Sequence, residues 1–400
     1  MKELDNSLRW FVRPTFSMLS GEAKLYNRYA TGMVIEAGHF LLRRRSILRR
    51  FRGRIFAVDP RTPAFQCRPD MAVDPRTDKI RTSYLKLAAR HGGPIWQRFS
   101  HLEPARPSDM CKSSCESTAI SLIDLQKSAR PSVILAPYFV VEGPDDPWVQ
   151  VNRCMFEAAR RAEDGTVYMP LAFQSSLLAD LGRLDRLCEM YMESCAPGYA
   201  VWPVGLNEMN ASAEELVGLA HVLGKLPSGS LALYGGYFTM LLCALNRQSF
   251  SSGPCFYERR DMKIAPPLEF RPRCRYYLPP LYQKVDPVSA VVFYRLISEM
   301  GLDPRLCPAC LRNVTDEDFD GIAGMPELDV FEHNLIARKD EIEALRASPD
   351  PALKAEEGFR WAVSHRSSFP HFRSLRYLKT WTMALERIRS LAGRPSRKRY

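Results

Sequence analysis

Two thiols and an imidazole carry the sharpest chemical signal in the chain. Leu306-Cys307-Pro-Ala-Cys310 spaces two cysteines for joint chelation of one ion, and His333 follows in Glu332-His333-Asn-Leu335. Such a pair plus a distant histidine makes three of the four ligands of a tetrahedral site, although the same spacing also suits two core cysteines at a helix start. A carboxylate comes next: Asp59 closes the apolar run Ile55-Phe-Ala-Val-Asp59-Pro. At a strand end it can accept and return a proton, or it can simply open an Asp-Pro turn. The tetrapeptide recurs at Asp74-Pro-Arg-Thr77, so it does not single out one position. Leu233-Tyr234-Gly235-Gly236 ends another apolar run. Glycines there either let a ligand reach the backbone or meet a turn that needs positive φ.

These residues need a scaffold, and the middle of the chain supplies its rhythm. Strand-like runs at Ser132–Phe139, Thr166–Phe173, Tyr199–Leu206 and Ser230–Gly236 alternate with helical segments at Trp148–Ala162, Ser176–Ser194, Ala213–Leu223 and Tyr237–Asn246. The strands are apolar on both faces, which predicts parallel strands covered by helices. The opening fifty residues read as helical, Thr82–Arg90 likewise, and His101–Ser117 reads as a polar surface connection. Pro or Gly with a polar residue recurs at the strand ends, as in Pro170 with Gln174 and Pro203 with Asn207. Active sites of closed barrels are built there, so a (β/α)8 barrel of the α/β class is expected over an open doubly wound sheet. No G-x-G-x-x-G or G-x-x-x-x-G-K-[ST] follows a strand, which argues against dinucleotide and P-loop chemistry.

The net charge of +11 is concentrated. Arg43 to Arg54 holds seven arginines and no acid, and Phe359 to Tyr400 holds eleven Lys or Arg against the single acid Glu386. The remainder is mildly acidic, a distribution that suits directed binding of a polyanion, or else a solvated helix face and a basic tail. Eleven scattered cysteines and no secretory or membrane-length apolar segment point to a reduced, cytoplasmic protein with no membrane partner.

In this pattern the chain resembles the guanine transglycosylase superfamily, the tRNA-guanine transglycosylases and their DNA-modifying relatives that install 7-deazaguanines. Those proteins carry Cys-x-Cys-x-x-Cys and then a His-Asn-Leu helix, matched here by Cys307, Cys310 and His333-Asn334-Leu335; Arg305 stands where the first cysteine is expected. The resemblance implies a structural zinc; with Arg305 in place of a cysteine, either Cys274, Cys255 or water is the fourth ligand or the site is lost. Val58-Asp59 through Phe65-Gln66 looks like a lengthened Val-Asp-Ser-Gly-Gly-Phe-Gln, which implies that Asp59 is catalytic. Tyr234, Gly235 and Gly236, with Gln174, would then contact the base, and Tyr138 or Phe173 would stack on it. The family's nucleophile is an Asp on the last barrel strand; Ser249 is the best match here, and a serine is a poor substitute for a carboxylate.

The resulting expectation divides the chain into an Arg-rich segment over residues 1–54 that is part of the barrel, and a barrel over 55–303 with an insertion near 101–117. A zinc subdomain over 304–345 and a basic helical tail over 346–400 follow. Arg43, Arg44, Arg45, Arg49 and Arg50, with the tail arginines Arg373, Arg376, Arg387 and Arg389, would hold phosphates. The activity implied is exchange of guanine for a 7-deazaguanine in DNA or tRNA, and the relatives' pairing implies a homo- or hetero-oligomer. Two alternatives stand beside it: a non-catalytic nucleic-acid-binding paralogue or partner subunit, and an unrelated barrel enzyme acting on a small anionic metabolite.

Overall fold

The strands of the expected barrel are short apolar runs, and the computed structural model shows how they join. It describes residues 8–14, 23–51, 53–67, 73–74, 79–80, 82–163, 165–253, 262, 275–314, 318–369 and 375–392. Eight parallel strands line up in chain order: β1 (Arg9–Val12), β2 (Gly32–Glu36), β3 (Ile55–Asp59), β4 (Ile134–Leu135), β5 (Val167–Gln174), β6 (Tyr199–Val204), β7 (Leu231–Ala232) and β8 (Ser249–Ser252). Strand β8 pairs with β1 through Arg9–Ser249 to Val12–Ser252. The two remaining edges meet where Ser132 N–H donates to the Ile55 carbonyl (3.1 Å) and Val133 N–H to that of Phe56 (2.9 Å). The ring is therefore closed, as a TIM-like barrel requires.

Two apolar layers result. Phe11, Val34, Phe56, Tyr168, Ala172, Ala200, Trp202 and Leu231 fill the inside of the ring, with Phe11 and Phe56 stacked at 3.9 Å. The larger layer lies between the ring and its helices: α1 (Ala23–Tyr29), α2 (Ala37–Phe51), α3 (Thr82–His91), α4 (Gly93–Ser100), α5 (Lys112–Lys127), α6 (Trp148–Ala162), α7 (Leu181–Met192), α8 (Ala213–Lys225) and α9 (Tyr237–Leu245). Helix α8 begins with a reciprocal capping box between Ser212 and Glu215.

Two readings of the opening third change. Arg9–Val12 and Gly32–Glu36 are barrel strands, not helix. The polar connection ends early, because α5 starts at Lys112. Its inward face uses Cys115, Thr118, Ala119 and Gln126 beside Leu122 and Ile123, so little hydrophobic periodicity marks it. Asp74 lies in a two-residue ribbon with Lys79–Ile80, apart from the ring, so of the repeated tetrapeptides only that of Asp59 ends a barrel strand.

After the barrel comes a hairpin, β9 (Tyr276–Leu278) and β10 (Gln283–Val285), followed by α10 (Pro287–Glu299), α11 (Pro308–Leu311), α12 (Asp320–Ala323), α13 (Glu327–Ala347), α14 (Pro351–Ser364) and α15 (Arg376–Ala392). Helix α15 is docked against the barrel. Trp381, 1% exposed, donates from Nε1 to the Glu208 carbonyl (2.9 Å) and stacks on Tyr237. No helix among the described residues is long and apolar enough to cross a membrane.

Candidate active site and metal group

The residue that ends each of the first three strands turns toward the barrel mouth. Arg13 follows β1, Glu36 ends β2 and Asp59 ends β3. Asp59 is 0% exposed and fully engaged. Its Oδ1 accepts from the Arg61 backbone N–H (3.0 Å) and the Tyr138 hydroxyl (2.9 Å), and its Oδ2 from Arg13 Nη2 (2.7 Å) and the Tyr234 hydroxyl (3.3 Å). Arg61 reaches the same Tyr234 hydroxyl from Nη1 (2.9 Å), and Arg13 donates to it as well. Glu36 balances the second guanidinium at 3.5 Å from Arg61 Nε and 3.7 Å from Arg13. Two buried cations thus face two carboxylates, a pairing that offsets their desolvation.

Aromatic faces complete the cluster. The Arg13 guanidinium lies 3.8 Å from the Tyr234 ring centre, and Trp202 sits 4.9 Å from the same ring. Burial pushes the Tyr234 hydroxyl well above its ordinary value, against the pull of Arg13 and Arg61. Burial likewise raises the Tyr138 hydroxyl, with Asp59 adding to the effect, so both phenols stay protonated donors. His39, at the start of α2, is lowered by burial, with Arg61 and Arg13 nearby. Among the described residues, four polar atoms of this inner wall, Arg13 Nη1, Arg61 Nε, Trp202 Nε1 and Ser251 Oγ, are buried without a hydrogen-bond partner. Native interiors leave few such groups, and they cluster where a ligand or water completes them.

The residues expected around the base are placed as follows. Tyr234 is in the mouth, at φ 58°, with its hydroxyl on Arg13, Arg61 and Asp59. Gly235 N–H donates to the Ser251 carbonyl (2.8 Å) and Gly236 N–H to Glu208 Oε1 (2.8 Å), so both amides are used inside the protein. A Cβ on Gly236 would meet Glu208 Oε2 at 2.3 Å. Gln174 ends β5 half-buried. Phe173 is 0% exposed and packs outward under the helices, so of the two stacking candidates only Tyr138 faces the mouth. Gln66 ties the β3 loop to the stretch after β4, exchanging hydrogen bonds with Val140 N–H and C=O at 2.7 and 2.9 Å. Ser249 opens β8, at the end of the ring away from Asp59, and Phe250 packs outward, which leaves Ser251 as the inward residue nearer the mouth.

The sequence did not single out Arg13, Glu36, Arg61 or Glu208. Arg13 follows and Glu36 ends a short strand that reads as helix, and Arg61 gains meaning only beside Tyr234. Glu208, 5% exposed, caps α9 through Gly236, Phe238 and Thr239 N–H, as a carboxylate at a helix N-terminus should. Its one signal was the polar pair Asn207-Glu208 beyond the β6 run.

The second cluster joins α11 to α13. Cys307 Sγ and Cys310 Sγ are 3.5 Å apart, and His333 Nδ1 lies 3.3 and 3.2 Å from them. Among the described residues this is the group whose spacing could hold a metal ion. His333 Nε2 donates to the Tyr277 carbonyl (2.7 Å), which fixes the ring with Nδ1 aimed at the thiols, as for an oriented metal ligand. Tyr276 stacks on the imidazole at 3.9 Å and its hydroxyl is 2.8 Å from Cys310 Sγ. Hydrogen bonding from Cys310, then His333, pulls the Cys307 thiol down against the effect of burial. Arg305 is exposed, at φ 50°. Cys255 and Cys274 lie outside the described residues.

The phosphate candidates divide. Arg43, Arg44, Arg45 and Arg49 are exposed along α2, which kinks at Arg43, and Arg50 is half-buried. Arg376 is exposed at the start of α15, and Arg373 lies outside the described residues. Farther along α15, Arg387 pairs with Glu214 and Arg389 with the buried Glu356, so these two serve the docking of the helix. No family model matches the chain, and no curated protein matches it either.

Proposed function

We propose that the protein is a guanine-transglycosylase-like barrel that takes a guanine of DNA or tRNA at its mouth and exchanges it for a 7-deazaguanine. One juxtaposition supports this reading most. A barrel whose β3 ends in Asp59, beside unpaired donors on Arg13, Trp202 and Ser251, is followed in the same chain by a Cys307, Cys310 and His333 group. Guanine presents O6 and N7 as acceptors, which an arginine matches well. Asp59 would hold or move a proton on the base once Arg13 releases one of its oxygens. The metal group fits zinc by its soft thiols and oriented imidazole, and zinc there would tie α11 to α13 as a structural cross-link. Arg43, Arg44, Arg45 and Arg49 would hold phosphates without reading sequence, and the target base would have to leave its stack to enter the mouth.

A second reading, a non-catalytic nucleic-acid-binding paralogue or partner subunit, is favoured by β8. Its described residues Ser249–Ser252 offer hydroxyls where the family's nucleophilic carboxylate belongs, and a serine needs a base of its own. Labelled-guanine exchange into tRNA and DNA, run beside fluorescence anisotropy for the wild type and Asp59→Asn, separates the two. Exchange lost in the variant with binding retained supports the enzyme. Binding without exchange supports the paralogue. If neither nucleic acid binds, both readings fail and a small anionic metabolite becomes the better ligand class.

A further inference from the structure

Two buried guanidiniums at the barrel mouth share one oxygen that neither of them holds closely. Glu36 Oε1 lies 3.5 Å from Arg61 Nε and 3.7 Å from Arg13 Nη2, within ion-pair range but long for a hydrogen bond. Among the described residues, Arg61 Nε, Arg13 Nη1 and Trp202 Nε1 on β6 have no hydrogen-bond partner. Arg13, Arg61 and Trp202 are 6%, 4% and 0% exposed, so bulk solvent does not reach them. They gather around one ring. Arg13 Cζ is 3.8 Å and Arg61 Cζ 5.7 Å from the Tyr234 centre, and the Trp202 ring is 4.9 Å from it. Arg61 Cζ is also 5.2 Å from the Trp202 ring, and both arginines donate to the Tyr234 hydroxyl. All three open groups can only donate. The buried acceptor beside them is committed, since each oxygen of Asp59 already takes two hydrogen bonds.

We infer that Arg13, Arg61 and Trp202 form a subsite for a singly charged oxyanion, a carboxylate or a phosphodiester, and that Glu36 is the placeholder it displaces. Buried donors without an acceptor of their own chain call for a ligand that brings one. Guanidinium forks match the oxygen pairs of carboxylates and phosphates.

Charge balance sets the ligand's valence. Arg13 and Arg61 face Asp59 and Glu36, two cations against two anions. An oxyanion of one charge that replaces Glu36 leaves this balance unchanged, whereas a dianion adds a buried charge without a partner. Glu36 is the member able to leave, because its side chain is 26% exposed while that of Asp59 is 0% exposed. The charged end of the ligand would then sit one guanidinium away from Asp59. A polynucleotide phosphodiester and a small carboxylate share this chemistry, so the subsite stands whether or not guanine is exchanged.

The test uses the full chain in saturation-transfer NMR titrations with dimethyl phosphate and acetate, both singly charged and methyl-bearing. Trimethyl phosphate is the uncharged control. The wild type is expected to bind at least one of the two anions and not the control. Glu36→Gln should tighten that binding about tenfold, because one carboxylate then faces two guanidiniums. Trp202→Phe, which keeps a ring and removes Nε1, should weaken it about fivefold. Replacing the exposed Arg44, Arg45 and Arg49 of α2 together by Gln should leave it unchanged. Tighter binding of dimethyl phosphate assigns the subsite to a nucleic-acid phosphodiester, and tighter binding of acetate assigns it to a carboxylate metabolite. Binding that disappears with the α2 arginines, yet is unmoved by Glu36→Gln and Trp202→Phe, overturns the inference. So does a Glu36→Gln chain with native circular dichroism that binds neither anion. Should Glu36→Gln not fold, Trp202→Phe decides alone, and an unchanged affinity there is equally fatal.

Discussion

Replacing Asp59 by Asn isolates the charge at the centre of the barrel mouth. The side chain keeps its shape and one acceptor oxygen, so bonds from the Tyr138 hydroxyl or the Arg61 N–H can persist. What is lost is the partner of Arg13, whose guanidinium is 6% exposed and 2.7 Å from Asp59 Oδ2. At an effective dielectric near 20, unit charges about 4 Å apart attract by about 4 kcal/mol, and removing one member of a buried pair typically costs about 3–5 kcal/mol. Glu36 offsets part of this for Arg13, but at 3.7 Å and 26% exposure it is the weaker partner. Asp59→Asn should therefore destabilise by about 3 kcal/mol or somewhat more. Asp59→Ala should cost about 1–2 kcal/mol beyond that, for the hydrogen bonds Asn retains. The assay is urea unfolding followed by tryptophan fluorescence, with Arg13→Met completing a double-mutant cycle. In the double variant the losses should fall short of additive by about 2–3 kcal/mol, since neither charge is then left buried alone. Single losses below about 1 kcal/mol, or strict additivity, would refute a buried and mutually dependent pair.

Three further outcomes are expected. Burial raises Glu341, on α13 beside Arg338 and Tyr277, to about 7 from an ordinary 4.5, so between those pH values the folded state binds more protons than the unfolded one. Stability should fall as pH rises through that window, and Glu341→Gln should flatten the decline by roughly 2–3 kcal/mol between pH 5 and 7.5, read as urea midpoints. Gly236→Ala should cost about 1–3 kcal/mol, because the new methyl displaces the Glu208 carboxylate that caps α9; unchanged thermal unfolding would disprove the crowding. Protein purified without added zinc should carry about one zinc per chain, lost together with α11–α13 protection from proteolysis in Cys310→Ser; metal content unchanged in the variant would remove Cys310 from the site.

Much of the barrel could be read from the residues, for a physical reason. The β5 and β6 runs Val167–Gln174 and Tyr199–Val204 are buried on both faces, so they are continuous apolar segments bounded by turns. Strands β1 and β2 are four and five residues long beside Leu- and Arg-rich stretches, and so short a run has no period of its own. The metal group was legible because its ligands are fixed by local spacing plus one histidine. The mouth was legible at Asp59 and, through the resemblance, at Tyr234 and Tyr138. Arg13, Glu36, Asp59, Arg61 and Tyr234 meet because the ring closes, and no local pattern encodes that encounter. One signal was present all the same: each of Arg13, Glu36 and Asp59 is the first polar residue after, or the last residue of, its apolar strand, where barrel rims gather chemistry.

Ring closure also sets a timetable for the nascent chain. Strand β1 pairs on one side with β8, whose residues Ser249–Ser252 emerge long after it. The Leu8 carbonyl just before β1 is held later still, by Arg346 near the end of α13 (2.8 Å from Nε). Until the ribosome has delivered those segments, the apolar edge of β1, with Trp10 and Phe11, has no partner of its own chain. An unpaired strand edge is a template for association with other chains. The Arg-rich helix α2, made soon afterwards and packed against β2 and β3, gives copies of the growing chain like charges that repel one another before pairing can protect that edge. Neutralising Arg44, Arg45 and Arg49 should thus lower soluble yield during synthesis more than it lowers the stability of the finished fold.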